Sequence, residues 1–486
     1  MLKPVFCALI LLGISVVANQ AHATGETNSN STIDVPQPRY KAPRKYDEIT
    51  LSISDESYLN RGDPPAGISD YEFLSTRVRA GTEDNLINVA IDLGGTFAVN
   101  VENYSNVEVP EAFATWTSNA KSKDPSDGHF TITLGRKKEA WTRLDSEWTL
   151  GLTQPLNEFD GLRPTEQGFT GIFGSYHKEG FEVLVMGGLI YIPNQGAQYT
   201  LDGGQFSTNS PWFNAPPSQM VLFNTLTPVQ YTLETPSTGS VVNHQYFGTL
   251  IRYGHYEGEG FYAQASVLHK PRNDLTLPFD GQLNISSNTS FGDVTVFPTV
   301  VYHTVTAVDL DYSVSGISFG LSAISDVSDP NNVTDPNLTY QDLAPLYMVS
   351  PNLEFKLFPS QTWGPHVSLA YLHSIGGQVS TEGPNSSNTS VFGSRTMYSE
   401  ASSVAVQSML LHSHEWRVDW GLRWIEEFDE LGSILMNDFR IGYEDSWRLS
   451  IYADLLGSRQ PTSDTATFIA RYRGNDRAGI KLSYVF

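Results

Sequence analysis

The strongest constraint on the fold is a period of two that recurs almost end to end. Residues 477–486 show it well: Ala478, Ile480, Leu482, Tyr484 and Phe486 alternate with Arg477, Gly479, Lys481, Ser483 and Val485. Alternation is the strand period. It recurs at Ile49-Leu51-Ile53, Ile87-Val89-Ile91-Leu93, Phe130-Ile132-Leu134, Phe261 to Val267, Ile317 to Ala323 and Leu353-Phe355-Leu357. No amphipathic run of three helical turns stands out, and no helix is expected. The stretch 415–427 separates its faces most sharply. Trp416, Val418, Trp420, Leu422 and Trp424 form one; Arg417, Asp419, Gly421 and Arg423 form the other. In a soluble sheet the apolar face would be the buried one and the charged face would meet water.

The N-terminus reads as a secretory leader over 1–23. Lys3 precedes a short apolar run from Val5 to Val17, and Ala21-His22-Ala23 is a small-x-small cleavage site that ends it at Ala23. Cys7 is the only cysteine and lies inside that leader, so the mature chain is expected to have no disulfide and no cysteine metal site. No other run reaches ~18 apolar residues, the length that a spanning helix needs. A membrane chain without such helices must span as a closed barrel.

The C-terminal strand resembles the closing strand of bacterial outer-membrane β-barrels. In that family a terminal aromatic, with a second aromatic two residues before it, is read by the assembly machinery; Tyr484 and Phe486 match. The glycine often found five residues before the end is absent, since Lys481 stands there. The resemblance implies an all-β transmembrane antiparallel barrel in the outer membrane of a Gram-negative bacterium. Its partners would be the lipid bilayer, lipopolysaccharide and the assembly machinery. Porins of this type are often trimers, so a homo-oligomer is open too. Residues 134–151 (LGRKKEAWTRLDSEWTLG) also resemble the strand-loop segment of alginate-export and related carbohydrate porins. That likeness covers under twenty residues and carries no site residue with it.

Residues 24–47, rich in Thr, Asn and Pro with a basic cluster at Arg39, Lys41, Arg44 and Lys45, read as a flexible periplasmic tail. The barrel then occupies 48–486. Strands of about ten residues with loops between them suggest about eighteen strands, with sixteen as the near alternative. Trp416 and Trp424 are ~26 Å apart along a strand, which a tilt of about 40° reduces to nearly the height of an apolar membrane band. Trp416, Trp420, Trp424, Tyr484 and Phe486 are therefore expected in the membrane girdle. Short turns are expected at 177–180, 257–260, 444–446 and 474–476. Long connectors are expected near 137–167, 192–245, 270–300, 326–349 and 375–401. A short connector just before the last strand does not fit that division of rims. The 192–245 loop, with Tyr199, Phe206, Trp212, Phe213 and Phe223, is expected either to narrow the lumen or to form a binding surface outside.

Charge refines the reading. The formal net charge is −23, and loss of Lys3 with the leader lowers it by one more. That excludes nucleic acid as a natural partner. No Lys or Arg falls between Arg272 and Lys356, a stretch that includes Asp309, Asp311, Asp326 and Glu354. The last strands are instead basic on the expected inner face. The candidate pore-lining residues are Arg417, Asp419, Arg423, Asp438, Arg440, Glu444, Arg448, Asp454, Arg471, Arg473 and Lys481. For any one of them, a bracing ion pair is the plainer role. An inner face so polar disfavours a path for hydrophobic substrates.

No motif for catalysis survives inspection. Gly316-Ile317-Ser318-Phe319-Gly320 has the G-x-S-x-G spacing but sits in an alternating strand with no helix to follow. His412-Ser413-His414-Glu415 is not a zinc motif. Residues 326–337 offer oxygen ligands of the kind calcium takes, without EF-hand spacing; a turn-rich surface loop is expected, with calcium the alternative and no other cofactor. The reading that results is a porin-like channel, not an enzyme, for passive diffusion of small polar or anionic solutes. Its alternatives are export of a secreted polysaccharide and a barrel that anchors a surface-binding protein.

Overall fold

The computed structural model describes residues 48–486 apart from 60–66, 84–85, 119–127, 214, 223–224, 255–258, 286–289, 330–336, 359–363, 383–394, 445 and 461–466. The leader with Ala23, the tail 24–47, Phe223 and most of the candidate calcium loop fall outside those residues.

An 18-stranded sheet closes on itself. Each strand runs antiparallel to the next, and the first, Glu48–Tyr58, pairs both with Asp70–Glu83 and with the last, Arg477–Val485. At the seam Ser52 faces Ser483, and their hydroxyls meet at 2.9 Å. Closure leaves no unpaired edge, which is what a lipid environment demands of a sheet. None of the described helices is long and apolar enough to cross a membrane.

The connectors alternate between two rims, and the longest ones all fall on the same rim. One rim carries 84–86, 118–128, 179–180, 254–259, 315–316, 357–365, 413–415 and 444–446; the other carries 59–69, 99–104, 138–168, 191–245, 272–301, 329–345, 377–399, 428–431 and 459–476. Two of the short turns have two residues, both with positive φ: Glu179 (47°) with Gly180 (80°), and Ser315 (49°) with Gly316 (82°). Such turns match the twist of a hairpin, and the second position favours glycine. Gly316 is therefore a hairpin residue, not part of a nucleophile elbow. The long rim also resolves the misfit before the last strand. Residues 468–473 do not continue a strand; Phe468–Tyr472 is a helix, capped by Thr467, whose hydroxyl accepts from the Ala470 amide at 3.2 Å. The connector is thus 459–476, a long one. Helices also occur at Arg143–Trp148 and Thr238–Val242, against the expectation of none.

Large apolar side chains face outward all round. Ile49, Leu51 and Ile53 are 47, 44 and 61% exposed, and Leu134, Ile172, Phe247 and Phe319 continue the band. Soluble monomers do not expose apolar surface on this scale; in lipid it is the solvated face. On Trp416–Glu427 the outward set is Trp416, Val418, Trp420, Leu422 and Trp424, as the sequence indicates. Trp416 packs against Tyr443 with the rings tilted at 45° and their centroids 4.6 Å apart. Trp420 donates its indole N–H to Asn437 at 2.9 Å, which satisfies an amide on the lipid face. Tyr484 lies 4.8 Å from Trp447 and 4.7 Å from Phe486.

This phase gives a direct test. Single cysteines at 418, 420 and 422 should be shielded from a water-soluble thiol reagent, while those at 417, 440 and 448 should react within minutes. A cysteine at 423 should react slowly, because that inward position is buried under the loop described next. Fast labelling at 418 and 420 with protection at 440 and 448 would reverse the faces.

Candidate functional site

The inner wall has two tiers. Near the short-turn rim it is charged and partly accessible. Arg417 donates to Asp419 at 2.7 Å, and Arg448 reaches across the seam to Glu48 at 3.1 Å. Lys481 and Arg440 share this tier, with Lys481 opposite Ser54 and Arg440 opposite Asp419. Beyond the seam Arg77 and Arg79 meet Asp92 at 2.7 and 3.4 Å. The side chains of Arg77, Arg79 and Arg448 keep 29, 37 and 42% exposure.

Toward the long-loop rim the inward residues turn apolar. Ile425, Ile434, Leu456, Leu372, Met348 and Ile324 are buried in one cluster with Trp141, Leu144 and Trp148. A uniformly polar inner face, as expected from the sequence, is thus corrected: over this tier the barrel interior is packed. The cause is the connector 138–168, which folds inward.

That connector is held on opposite sides of the wall. Thr142 caps the Arg143–Trp148 helix, accepting from the Leu144 amide at 3.2 Å and donating to Asp309 at 3.0 Å. Arg143 then bonds Asp311 and Glu354 through separate guanidinium nitrogens, with Glu147 at 3.6 Å. Trp148 donates to Ser350 at 3.0 Å, and Arg423 donates to the Glu147 carbonyl at 2.6 Å. Asp145 accepts the Leu152 and Thr153 amides at 3.0 and 2.7 Å, closing the turn after the helix. Burial raises its pKa above the ordinary carboxylate value, and those bonds oppose the rise.

Further along, Arg163 bridges Asp438 at 2.8 Å and Asp454 at 2.6 Å. Burial alone would lower its pKa, but the two carboxylates hold it well above the ordinary arginine value. Arg477 completes the knot, bonding Asp454 at 2.8 Å and Asp160 of the connector at 2.7 Å. Glu139, at the start of the connector, would have its pKa raised by burial, yet Lys137 and Arg252 bring it down to about 2. A connector pinned by so many buried charge pairs is a fixed part of the wall.

Several sequence candidates take other places. Arg417, Asp419, Arg440, Arg448 and Lys481 face the accessible tier. Arg423, Asp438 and Asp454 face inward too, but they are buried and engaged by the connector. Glu444 does not line the interior; it sits exposed in the 444–446 turn with φ 50°, where Tyr443 donates to it at 3.0 Å. Arg471 lies in the last turn of the Phe468–Tyr472 helix and Arg473 caps it, so neither is a strand position. The sequence missed Arg143, Arg163 and Asp160. The long connector expected over 192–245 spans 191–245, and part of it lies inside the barrel. Trp212 packs inside, 5.5 Å from Tyr472 and 5.3 Å from the Arg477 guanidinium. Gln219–Leu222 and Thr225–Leu233 instead join Phe279–Ile285 and Ser290–Val296 in a separate sheet. Asp326, at the start of the candidate calcium stretch, is bound by His303 at 2.6 Å and by Arg395. Among the described residues no group of three or more His, Cys, Asp or Glu is placed to hold a metal.

No protein-family model matches the chain, and no curated protein matches it. Solved structures do. Pseudomonas aeruginosa OccK2 (OpdF) aligns over 90% of this chain and 96% of its own, at 7% identity and a TM-score of 0.45. Acinetobacter baumannii OccAB4 aligns over 90% and 97%, at 9% identity and 0.40. Salmonella typhi OmpF, in complex with daunomycin, aligns over 90% and 96%, at 12% identity and 0.37. The assignment itself rests on the chain's own geometry. A closed antiparallel sheet with an apolar outer band, an aromatic girdle, short turns on one rim and long loops on the other is an outer-membrane β-barrel of a Gram-negative bacterium.

Proposed function

We propose that the protein is a porin-like channel for passive diffusion of small polar or anionic solutes. The observation that carries this reading is the accessible basic tier. From Trp416–Glu427 round to Ser105–Thr117, the inward cations Arg417, Arg440, Arg448, Lys481, Arg77 and Arg79 outnumber Asp419, Glu48, Asp92 and Glu108, the last 3.9 Å from Arg77. The acidity of the whole chain argues for cations, but exposed loop charges are screened over ~8–10 Å. Charges on a confined wall with low-dielectric surroundings act at closer range and focus the field. In this reading the barrel does no covalent chemistry; Ser318 only bonds Ser313 across a hairpin. Its partners are lipid, lipopolysaccharide, the assembly machinery at the C-terminal strand and the solute, with a homo-oligomer as a further expectation.

Conductance steps in a planar bilayer test the reading, and reversal potentials in a potassium chloride gradient test its sign. Weak anion selectivity is expected, shifting toward cations in Arg440→Ala and Arg448→Ala. Clear cation selectivity in the wild type, unchanged by both substitutions, would show that these arginines only brace the wall. A second reading, a barrel that anchors a surface-binding protein, has one observation in its favour. The separate loop sheet exposes Val221, Leu226 and Ile285 at 66, 67 and 73%. Absence of any conductance would favour it.

A further inference from the structure

Between the connectors of the long-loop rim lies a cavity of about 130 Å³, lined by Arg272, Asp274, Leu275, Thr276, Gln341, Leu343, Val379 and Arg395. Two guanidinium groups meet there, and neither is fully used. The Arg395 side chain is only 1% exposed. It donates to the Ala344 carbonyl at 2.5 Å and to Asp326, but its Nε has no partner among the described residues. Arg272, whose backbone N–H is spent on the Val301 carbonyl at 2.8 Å, has a buried Nη1 that likewise lacks one. A buried N–H of a charged group left unpaired is expensive. Both residues line the one cavity, which points to a ligand that accepts.

The local carboxylates do not fill that role. Asp326 is shared between Arg395 and His303, with the imidazole at 2.6 Å. Asp274 accepts from Asn194 at 2.9 Å and is exposed. Burial lowers the Arg395 pKa below the ordinary arginine value; Asp326 opposes this and Arg272 adds to it. Asp274 lines the cavity as well, but neither carboxylate bonds the two unpartnered guanidinium nitrogens. Thr276 and Gln341 add polar lining, and Leu343 and Val379, paired across a short ladder, give an apolar floor. A volume of several waters admits a compact tetrahedral or planar anion but not a sugar chain.

We propose that this cavity is a binding site for a small oxyanion, a phosphate or a carboxylate, held by Arg272 and Arg395. Guanidinium groups suit both, because their forked donors match two oxygens at once. Arg395 is fixed in advance by Asp326 and Ala344, so its side chain loses little freedom on binding. The site stands apart from the basic tier and does not require the barrel to conduct.

Isothermal titration of the intact barrel in detergent micelles tests it, with inorganic phosphate in one arm and acetate in the other, at constant ionic strength. Saturable one-site binding of at least one probe is expected, and the arm that responds names the anion class. Arg272→Gln should weaken it at least tenfold while heat-modifiable migration stays as in the wild type. Val379→Phe, which fills the cavity and leaves both charges in place, should abolish it, and it serves if the arginine variant fails to assemble. No saturable heat from either probe, or wild-type affinity in the assembled variants, overturns the site.

Discussion

Arg163→Ala is expected to release the inner connector from one side of the barrel and to raise single-channel conductance severalfold. Arg163 is the cation for both Asp438 and Asp454, whose side chains are 5 and 0% exposed. Among the described residues its loss leaves Asp438 with no arginine and Asp454 with Arg477 alone. Breaking a buried pair from one side costs ~3–5 kcal/mol, because the abandoned charge stays desolvated. The barrel ladder does not depend on this contact, since every strand is paired on both sides. The cost therefore falls on the folded-in state of 138–168, which can relieve it by letting water reach the two aspartates. Asp438→Asn with Asp454→Asn, added to Arg163→Ala, removes the abandoned charges and should return conductance part of the way to wild type. The measurements are bilayer conductance and limited proteolysis of the connector. Wild-type conductance together with wild-type resistance to protease would show that the Arg143 and Arg477 contacts suffice alone.

What was legible in the sequence follows from where the determinants lie. The lipid face of Trp416–Glu427 could be read because lipid selects one face and the strand period is two. Trp420 needed no knowledge of any partner to be placed. Glu444 continues the inward parity of Gly432–Tyr443, yet it falls one residue past the strand, in a turn whose positive φ no alternation reveals. Arg471 and Arg473 failed for a different reason. Ala470-Arg471-Tyr472-Arg473 alternates as a strand would, yet Phe468–Tyr472 becomes a helix because Thr467 caps it and because Ile469, Ala470 and Tyr472 find a buried site. Part of that site is supplied by Trp212, far away in the chain.

The packed upper tier had a signal that was readable in retrospect. In Trp424-Ile425 and Leu455-Leu456 the alternation gives way to adjacent apolar residues, so both faces are apolar at that height. A strand with lipid on one side and water on the other does not do this; a strand with packing on both sides does. The connector responsible was less legible. Its anchors Thr142 and Arg163 meet partners 167 and 291 residues away in sequence. No local pattern marks such contacts. One indirect sign existed: the stretch from Arg272 to Lys356 has buried inward acids and no cation of its own, so its counter-charge had to come from elsewhere in the chain.

That counter-charge is Arg143, and Arg143→Met is expected to move the channel toward cations further than any single substitution on the accessible tier. Arg417 sits beside Asp419 and Arg448 beside Glu48, and both keep contact with solvent. Arg143 has a side chain 3% exposed, between Asp311 and Glu354, with Glu147 beside it. Methionine keeps much of the aliphatic bulk and removes the charge, leaving those acids inside the barrel without the guanidinium that bridged them; His366 lies 3.1 Å from Glu354 and Ser313 3.5 Å from Asp311. Cations entering the interior then replace the lost guanidinium. Lysine is not a substitute, since one ammonium cannot present separate, fixed donors to Asp311 and Glu354 as a guanidinium does. Arg143→Lys should therefore shift the reversal potential in the same direction as Arg143→Met, though less far. Combining Arg143→Met with Asp311→Asn and Glu354→Gln should bring it back toward wild type. A reversal potential that stays at the wild-type value in Arg143→Met would mean that permeating ions never sense this side of the connector. The conducting path would then have to run wholly along the basic tier and the opposite face of the loop.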